Sequence, residues 1–198
     1  TYQAQRRGGR GITALSRKDE DFVEELFLAS THDYILFVTD MGRVYRLKGY
    51  QVYEGSRTSR GVNIVNLLPL QDGEQVTSML RVPGGDNAEG YLTMVTKAGV
   101  IKRTALANYS NIRKNGLIAI HLNEGDALAW TRSTSGEDEL IVATRNGMAI
   151  RISEKDARPL GRTATGVRAI RLKEGDSVVG VGVVREGATV LTVTEEGK

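Results

Sequence analysis

Four copies of the tetrapeptide Thr-x-x-Gly punctuate this chain, each placed just behind a short apolar run. They are Thr39-Asp40-Met41-Gly42, Thr96-Lys97-Ala98-Gly99, Thr144-Arg145-Asn146-Gly147 and Thr194-Glu195-Glu196-Gly197, with glycines 57, 48 and 50 positions apart. A period near fifty residues is the mark of an array of similar supersecondary units. Two further signatures recur in the same order. One is Gly61-Val62-Asn63-Ile64-Val65-Asn66-Leu67, Gly116-Leu117-Ile118-Ala119-Ile120-His121-Leu122 and Gly166-Val167-Arg168-Ala169-Ile170-Arg171-Leu172. The other is Asp72-Gly73-Glu74, Glu124-Gly125-Asp126 and Glu174-Gly175-Asp176. The first copy carries three additional residues, Leu68-Pro69-Leu70, which account for its longer spacing.

Each copy reads as strands. Tyr34-Ile35-Leu36-Phe37-Val38, Tyr91-Leu92-Thr93-Met94-Val95 and Leu140-Ile141-Val142-Ala143 are brief, rich in β-branched and aromatic residues, and bounded by a glycine turn. That combination predicts hairpins, with the glycine supplying the left-handed backbone position of the loop. No long 3.6-residue periodicity appears. Residues 22–29, Phe-Val-Glu-Glu-Leu-Phe-Leu-Ala, are compatible with a short helix, but their place ahead of a hairpin favours a strand. Four-stranded units of this length predict an all-β, propeller-like array in which each unit depends on its neighbours to bury its apolar face. The chain stops just after the fourth turn glycine, so the sequence reads as a truncated array, a single domain over residues 1–198. Its first unit spans about 1–82, its second about 89–133 and its third about 138–185, with the start of a fourth about 188–198.

Charge is distributed unevenly along this array. The net charge is only +3, yet residues 1–18 hold five basic side chains and no acid. Gln5-Arg6-Arg7-Gly8-Gly9-Arg10-Gly11 sets three guanidinium groups among three glycines. Arginine presents a planar fork of donors that matches phosphate oxygens, and glycine lets main-chain N–H groups approach an anion. Such a segment can grip a phosphate backbone without reading bases; a solvated basic arm, or an arginine–glycine segment of the RNA-binding kind, has the same composition. A register follows: four positions after the first three hairpin glycines come Arg46, Arg103 and Arg151. Ahead of the second signature, Arg57 and Arg60, then Arg113 and Lys114, then Arg162, load comparable loops with charge. If these strand positions face outward, the cations form a spaced belt suited to a polyanion. The alternative is that they pair with neighbouring carboxylates.

Other chemistry finds little support. There are no cysteines, which excludes disulfides and thiolate metal sites and suits a reducing compartment. His32 and His121 lack metal-binding spacing; His32 falls in a predicted turn and His121 on a predicted strand. No Gly-x-x-x-x-Gly-Lys-Ser/Thr loop for ATP occurs. Tyr45, Tyr50 and Tyr53 read as packing or loop residues, and Asp126 and Asp176 as turn residues. No apolar run reaches membrane-spanning length, and no signal-peptide pattern opens the chain.

On the heptapeptide, and on Thr1-Tyr2-Gln3-Ala4, Ile64-Val65-Asn66-Leu67-Leu68-Pro69-Leu70, Ser135-Gly136-Glu137-Asp138-Glu139 and Thr165-Gly166-Val167-Arg168, the chain resembles a known family. It is similar throughout to the C-terminal DNA-wrapping domain of the A subunit of bacterial DNA gyrase. The heptapeptide matches the motif called the GyrA box, with Arg10 where lysine is more familiar. The resemblance implies a β-pinwheel, propeller-like in outline but strand-exchanged in connectivity. The family domain has about six blades, whereas this chain holds three and the beginning of another.

The same resemblance implies a non-catalytic domain that binds and wraps double-stranded DNA for a type II topoisomerase that introduces negative supercoils using ATP. Gln5, Arg6, Arg7, Gly8, Gly9, Arg10 and Gly11 would clamp the wrapped duplex, and Arg46, Arg103 and Arg151 would be rim contacts. No cofactor would bind here; ATP and Mg would act on other regions or subunits. Expected partners are the B subunit, together with the rest of the A subunit, in an A2B2 assembly. No membrane and no small-molecule substrate is expected, and the location would be the bacterial cytoplasm at the nucleoid. The family's DNA-cleaving tyrosine follows an arginine, and no Arg-Tyr pair occurs here. Two other identities are weighed. The equivalent topoisomerase IV domain lacks an intact box. A propeller-type protein-interaction scaffold would show aromatic patches, and only 6% of residues are aromatic.

Overall fold

The computed structural model describes residues 28–55, 59, 61–83 and 87–194. The heptapeptide at residues 5–11, Arg57, Arg60, most of the ambiguous stretch 22–29 and the last three residues of the fourth Thr-x-x-Gly lie outside these described residues. Among the described residues there is no α-helix; the secondary structure is strands, short 3-10 turns and loops.

Three antiparallel sheets follow one another along the chain. The first hairpin joins β1 (Tyr34–Thr39) to β2 (Arg43–Lys48), the second β4 (Tyr91–Thr96) to β5 (Val100–Ala105), the third β8 (Glu139–Thr144) to β9 (Ala149–Ser153). A long strand returns against the first strand of each: β3 (Val76–Val82) on β1, β7 (Leu128–Thr134) on β4, β11 (Val178–Val183) on β8. The turns explain the tetrapeptide. In each, the glycine N–H donates to the threonine carbonyl at 3.0–3.1 Å. The threonine Oγ1 then accepts the N–H of the residue after the glycine, Arg43, Val100 or Met148, at 3.3, 3.1 and 3.3 Å. The third signature locks the same turn from outside: Asp126 accepts the N–H of Ala98, and Asp176 that of Asn146, each at 3.0 Å. In the first copy the longer Glu74 takes the Thr39 hydroxyl proton at 2.7 Å and the Tyr45 hydroxyl at 2.8 Å.

The fourth strand is borrowed from the next repeat. β6 (Leu117–Ile118) belongs by sequence to the second copy but pairs with β2, and β10 (Val167–Arg168) belongs to the third but pairs with β5. The sheets therefore run β3-β1-β2-β6, β10-β5-β4-β7 and β11-β8-β9. Just past each exchanged strand the chain closes on the preceding hairpin. Ala119 N donates to the Gly42 carbonyl and Ala169 N to the Gly99 carbonyl, both at 2.8 Å. The contact is tight: a Cβ on Gly42 would lie 2.8 Å from the Ile120 carbonyl oxygen, and one on Gly99 2.9 Å from Ile170 Cγ2.

Side-chain alternation builds the core between sheets. β1 and β4 are almost continuously apolar because both faces are covered. Leu36 and Val38 join Leu92, Met94 and Leu128 in one cluster between the first and second sheets, which Ala119 and Ile120 of the exchanged segment complete. Val95 and Ile101 join Leu140, Val142 and Val178 between the second and third, with Ala169 and Ile170 against them. Ile35 and Phe37, on the other face of β1, pack on Leu68.

The first copy of the Gly-x-x-x-x-x-Leu signature lacks the short strand that the second and third copies form. Ile64–Asn66 form a 3-10 turn, capped by the Asn63 side chain accepting from Val65 N at 3.2 Å. Its Ile64 and Leu67 pack with Leu68 and Leu70 on the outer face of the first sheet. His121 likewise lies beyond β6 instead of in a strand, its N–H donating to the Ala164 carbonyl at 3.1 Å.

All three hairpin glycines have positive φ, at 73°, 82° and 79°, but nothing lies within 4 Å of the Cβ position of Gly147. Gly147→Ala should therefore cost only the left-handed backbone strain, about 1–2 kcal/mol. Gly42→Ala and Gly99→Ala should cost more, because the exchanged segment must also retreat. Urea denaturation of the three variants checks this order.

Candidate nucleic-acid interface

The register arginines share a strand position but not an environment. In each hairpin the residue diagonal to the arginine, five positions before the turn threonine, is Tyr34, Tyr91 or Glu139. Diagonal cross-strand neighbours are within reach of long side chains. Arg46 lies with its guanidinium carbon 4.3 Å from the Tyr34 ring centroid and donates from Nη1 to the Ser110 carbonyl of the next repeat. Arg103 lies 4.6 Å from the Tyr91 centroid and is only 6% exposed. Its Nε donates to the Ala157 carbonyl at 2.9 Å, and its Nη1 sits 3.4 Å from Glu154 Oε2. Arg151 is exposed and paired with Glu139 of its own hairpin, which raises its pKa further.

The outward belt expected of Arg46, Arg103 and Arg151 therefore needs correction at Arg103. Its guanidinium is committed to a buried ion pair that joins the second sheet to the third. Glu154 is fully buried and also accepts from the Thr134 hydroxyl at 2.7 Å and from the N–H groups of Gly136 and Asp138 at 2.7 and 2.8 Å. A buried carboxylate with this many donors is a structural anchor. Sequence register could not reveal it, because Glu154 has no acidic counterpart at the matching positions, Gly49 and Leu106.

The loops ahead of the exchanged strands carry exposed charge. Arg113 and Lys114 are exposed on the loop before β6. Arg162 is half-buried on the loop before β10, where Arg158, which the sequence register does not single out, is exposed. Both loops are tied down by compact turns, with Gly116 N donating to the Arg113 carbonyl at 2.9 Å and Ala164 N to the Gly161 carbonyl at 3.2 Å. Arg57 and Arg60, the first-copy counterparts, lie outside the described residues.

Arg43 and Lys102 are two of the strand cations that the sequence reading does not single out. Arg43, at the start of β2, donates from Nη2 to the Asn115 carbonyl at 2.5 Å. Lys102, in the middle of β5, is fully buried and donates to the carbonyls of Ala119 and Arg162, both at 2.5 Å. Removal from water, reinforced by the nearby Arg162 guanidinium, lowers the Lys102 pKa to about 8. Tyr109, which donates to the same Ala119 carbonyl at 3.3 Å, is pushed up to about 12 by burial.

These environments have measurable consequences. Arg103→Met should lose about 3 kcal/mol, the lower end for a broken buried pair, since three other donors remain on Glu154; a urea midpoint measures it. Lys102 gives a pH signature. Its proton is held less tightly in the folded chain than at the ordinary value of 10.5. Between about pH 8 and 10.5 the unfolded chain binds more protons, so stability rises with pH across that window. The neutral amine still has two N–H donors for its two carbonyls. The stability of the wild type relative to Lys102→Met should therefore improve from about pH 7.5 to about pH 10, read as the difference in urea midpoints.

Comparison with known proteins places this arrangement. The family model for the DNA gyrase C-terminal domain, beta-propeller, matches residues 1–30, 33–83, 90–135 and 138–185, a span that includes the heptapeptide. The A subunit of DNA gyrase from Staphylococcus epidermidis is 48% identical over 199 residues, covering 100% of this chain and 22% of that protein. Its Staphylococcus aureus counterpart is 47% identical over the same coverage. The chain thus spans about a fifth of the length of these curated relatives. Among solved structures, a gyrase A C-terminal domain superposes with a TM-score of 0.69 at 27% identity, covering 93% of this chain and 59% of that one. The C-terminal domain of a DNA topoisomerase IV superposes with a TM-score of 0.79 at 26% identity, covering 87% and 54%. Repeats, strand exchange and sequence agree, and the chain belongs to the DNA gyrase C-terminal domain family, with a β-propeller-like, strand-exchanged fold.

Proposed function

We propose that this domain binds double-stranded DNA through its phosphates and holds it in a curve. Its parent is read as the A subunit of DNA gyrase, an ATP-driven type II topoisomerase working with the B subunit in an A2B2 assembly in the bacterial cytoplasm. The domain itself contributes binding and bending, and cleavage and ATP–Mg chemistry belong to other parts of that assembly. The observation that carries this reading is the repetition of cationic loops, with exposed Arg113 and Lys114 on one and exposed Arg158 and half-buried Arg162 on the next, each ahead of an exchanged strand. Successive sheets repeat the same loop, so a duplex passing along the array meets a new cationic loop at each step.

Bending a 20–30 bp site costs about 1–6 kcal/mol for a smooth rod. Phosphate contacts with release of counterions can offset that cost. Arg6, Arg7 and Arg10 are assigned the clamping role, with Gly8, Gly9 and Gly11 permitting close approach and Gln5 adding an amide. Arg57, Arg60, Arg113, Lys114 and Arg162 are assigned loop contacts. Arg151 stays in the set with a smaller part, since it is paired with Glu139, whereas Arg46, whose guanidinium holds the Ser110 carbonyl, is not kept as a contact. Arg103 is left out. The superposition on a topoisomerase IV domain supports a second reading as that enzyme's equivalent domain; the intact heptapeptide favours gyrase.

A salt titration of binding to mixed-sequence duplex tests the proposal. The log–log slope should be steep and nearly independent of sequence. Changing Arg6, Arg7 and Arg10 together to Ala should reduce its magnitude by about 3, and Arg113→Ala with Lys114→Ala by about 2, at roughly 0.9 per phosphate contact. A shallow slope unaffected by both sets would sink it.

A further inference from the structure

Four strand cations end on main-chain carbonyls of the loops that display the exposed charge, and their pattern goes beyond simple packing. The loop of Arg113 and Lys114 is gripped on both sides: Arg46 Nη1 donates to the Ser110 carbonyl and Arg43 Nη2 to the Asn115 carbonyl. The loop of Arg158 and Arg162 is gripped in the same way. Arg103 Nε donates to the Ala157 carbonyl, and Lys102 Nζ to the Arg162 carbonyl. A further bond runs the other way, from Leu160 N to the Arg103 carbonyl at 2.8 Å. In both cases the grip comes from the second hairpin strand of the preceding sheet, and the held loop belongs to the following repeat.

The two grips are not copies of each other by sequence. Arg46 and Arg103 share a register position, but Lys102 aligns with Tyr45, and Arg43 with Val100. Tyr45 instead packs under the end of the first loop, where a Cβ on Gly116 would lie 2.8 Å from its ring. Different residues at different positions thus achieve one arrangement, two charged donors flanking an exposed cationic turn. Charge-assisted hydrogen bonds are stronger than neutral ones, and a full charge on a carbonyl leaves its positive field beneath the loop.

We propose that Arg43, Arg46, Lys102 and Arg103 are positioning residues for DNA binding: they fix the loops that present Arg113, Lys114, Arg158 and Arg162 to phosphate and do not themselves touch DNA. This rests on the DNA-binding reading above. It assigns the strand cations to an inner tier and the loop cations to an outer one, so that a substitution in one repeat acts on the contacts made by the next.

The test uses the whole 198-residue chain. Lys102→Met should raise amide hydrogen exchange over residues 157–164 by about tenfold, leaving β8 unchanged. Arg43→Gln, with its side chain 23% exposed and so less disruptive, should do the same over residues 110–116. DNA affinity should fall several-fold in each. Arg158→Ala with Arg162→Ala should then cost less in the Lys102→Met background than in the wild type, because a loose loop has already lost its contacts. Unchanged exchange in the gripped loops overturns the inference, as do losses that simply multiply. If Arg158→Ala with Arg162→Ala leaves DNA affinity untouched in the wild type, the loop's role in DNA binding fails, and exchange alone still decides whether the grip exists.

Discussion

Everything in this fold depends on a pair of short hydrogen-bonded closures, Ala119 to the Gly42 carbonyl and Ala169 to the Gly99 carbonyl. Each brings a segment of one repeat onto the hairpin of the repeat before it. The closure completes a four-stranded sheet and carries Ala119 and Ile120, or Ala169 and Ile170, into the apolar layer between sheets. Hydrogen bonding and burial are thereby coupled at one point. A hairpin that lost its borrowed strand would expose both an unpaired edge and part of its core, which is why no single repeat can be a folding unit of its own.

Charge is organised around the same junctions. The loop leading into each borrowed strand is held from below by cations of the preceding sheet and carries its own cations above. The buried Arg103–Glu154 pair and the buried Lys102 belong to the scaffold, where each ties β5 to the following repeat. Arg113, Lys114 and Arg158, at the surface, can meet a polyanion without first breaking an internal structure. Separating the two tiers reconciles a modest net charge of +3 with a surface suited to DNA, since many acids are consumed inside turns and junctions. Asp126, Asp176 and Glu74 each serve a hairpin turn, and Glu154 serves the ion pair.

Much of this was legible in the residues. The Thr-x-x-Gly spacing pointed to hairpins because the turn needs a hydroxyl acceptor and a left-handed position at fixed offsets, and both are written locally. The acidic third signature was recognisable as turn chemistry for the same reason. The cationic loops, too, could be seen in Arg113, Lys114 and Arg162. What misled was the assumption that an identical register gives an identical environment. Arg46, Arg103 and Arg151 align perfectly, yet they face Tyr34, Tyr91 with Glu154, and Glu139, partners that lie across strands or in the next repeat. The first-copy signature differs from the other two in a related way, since Asn63 favours a capped 3-10 turn where Ile118 and Arg168 extend.

Local chemistry, then, was enough to establish an all-β array of about fifty-residue repeats, its turns, and the loops where positive charge collects. Those features depend on neighbours a few residues apart, whose geometry the backbone enforces. Which sheet each Gly-x-x-Ala-Ile segment joins, and which cations are buried to hold a loop instead of displayed on it, were decided only by the tertiary structure. Burial and ion pairing are properties of contacts between repeats, and a side chain's partner fifty residues away leaves no mark on the residues beside it.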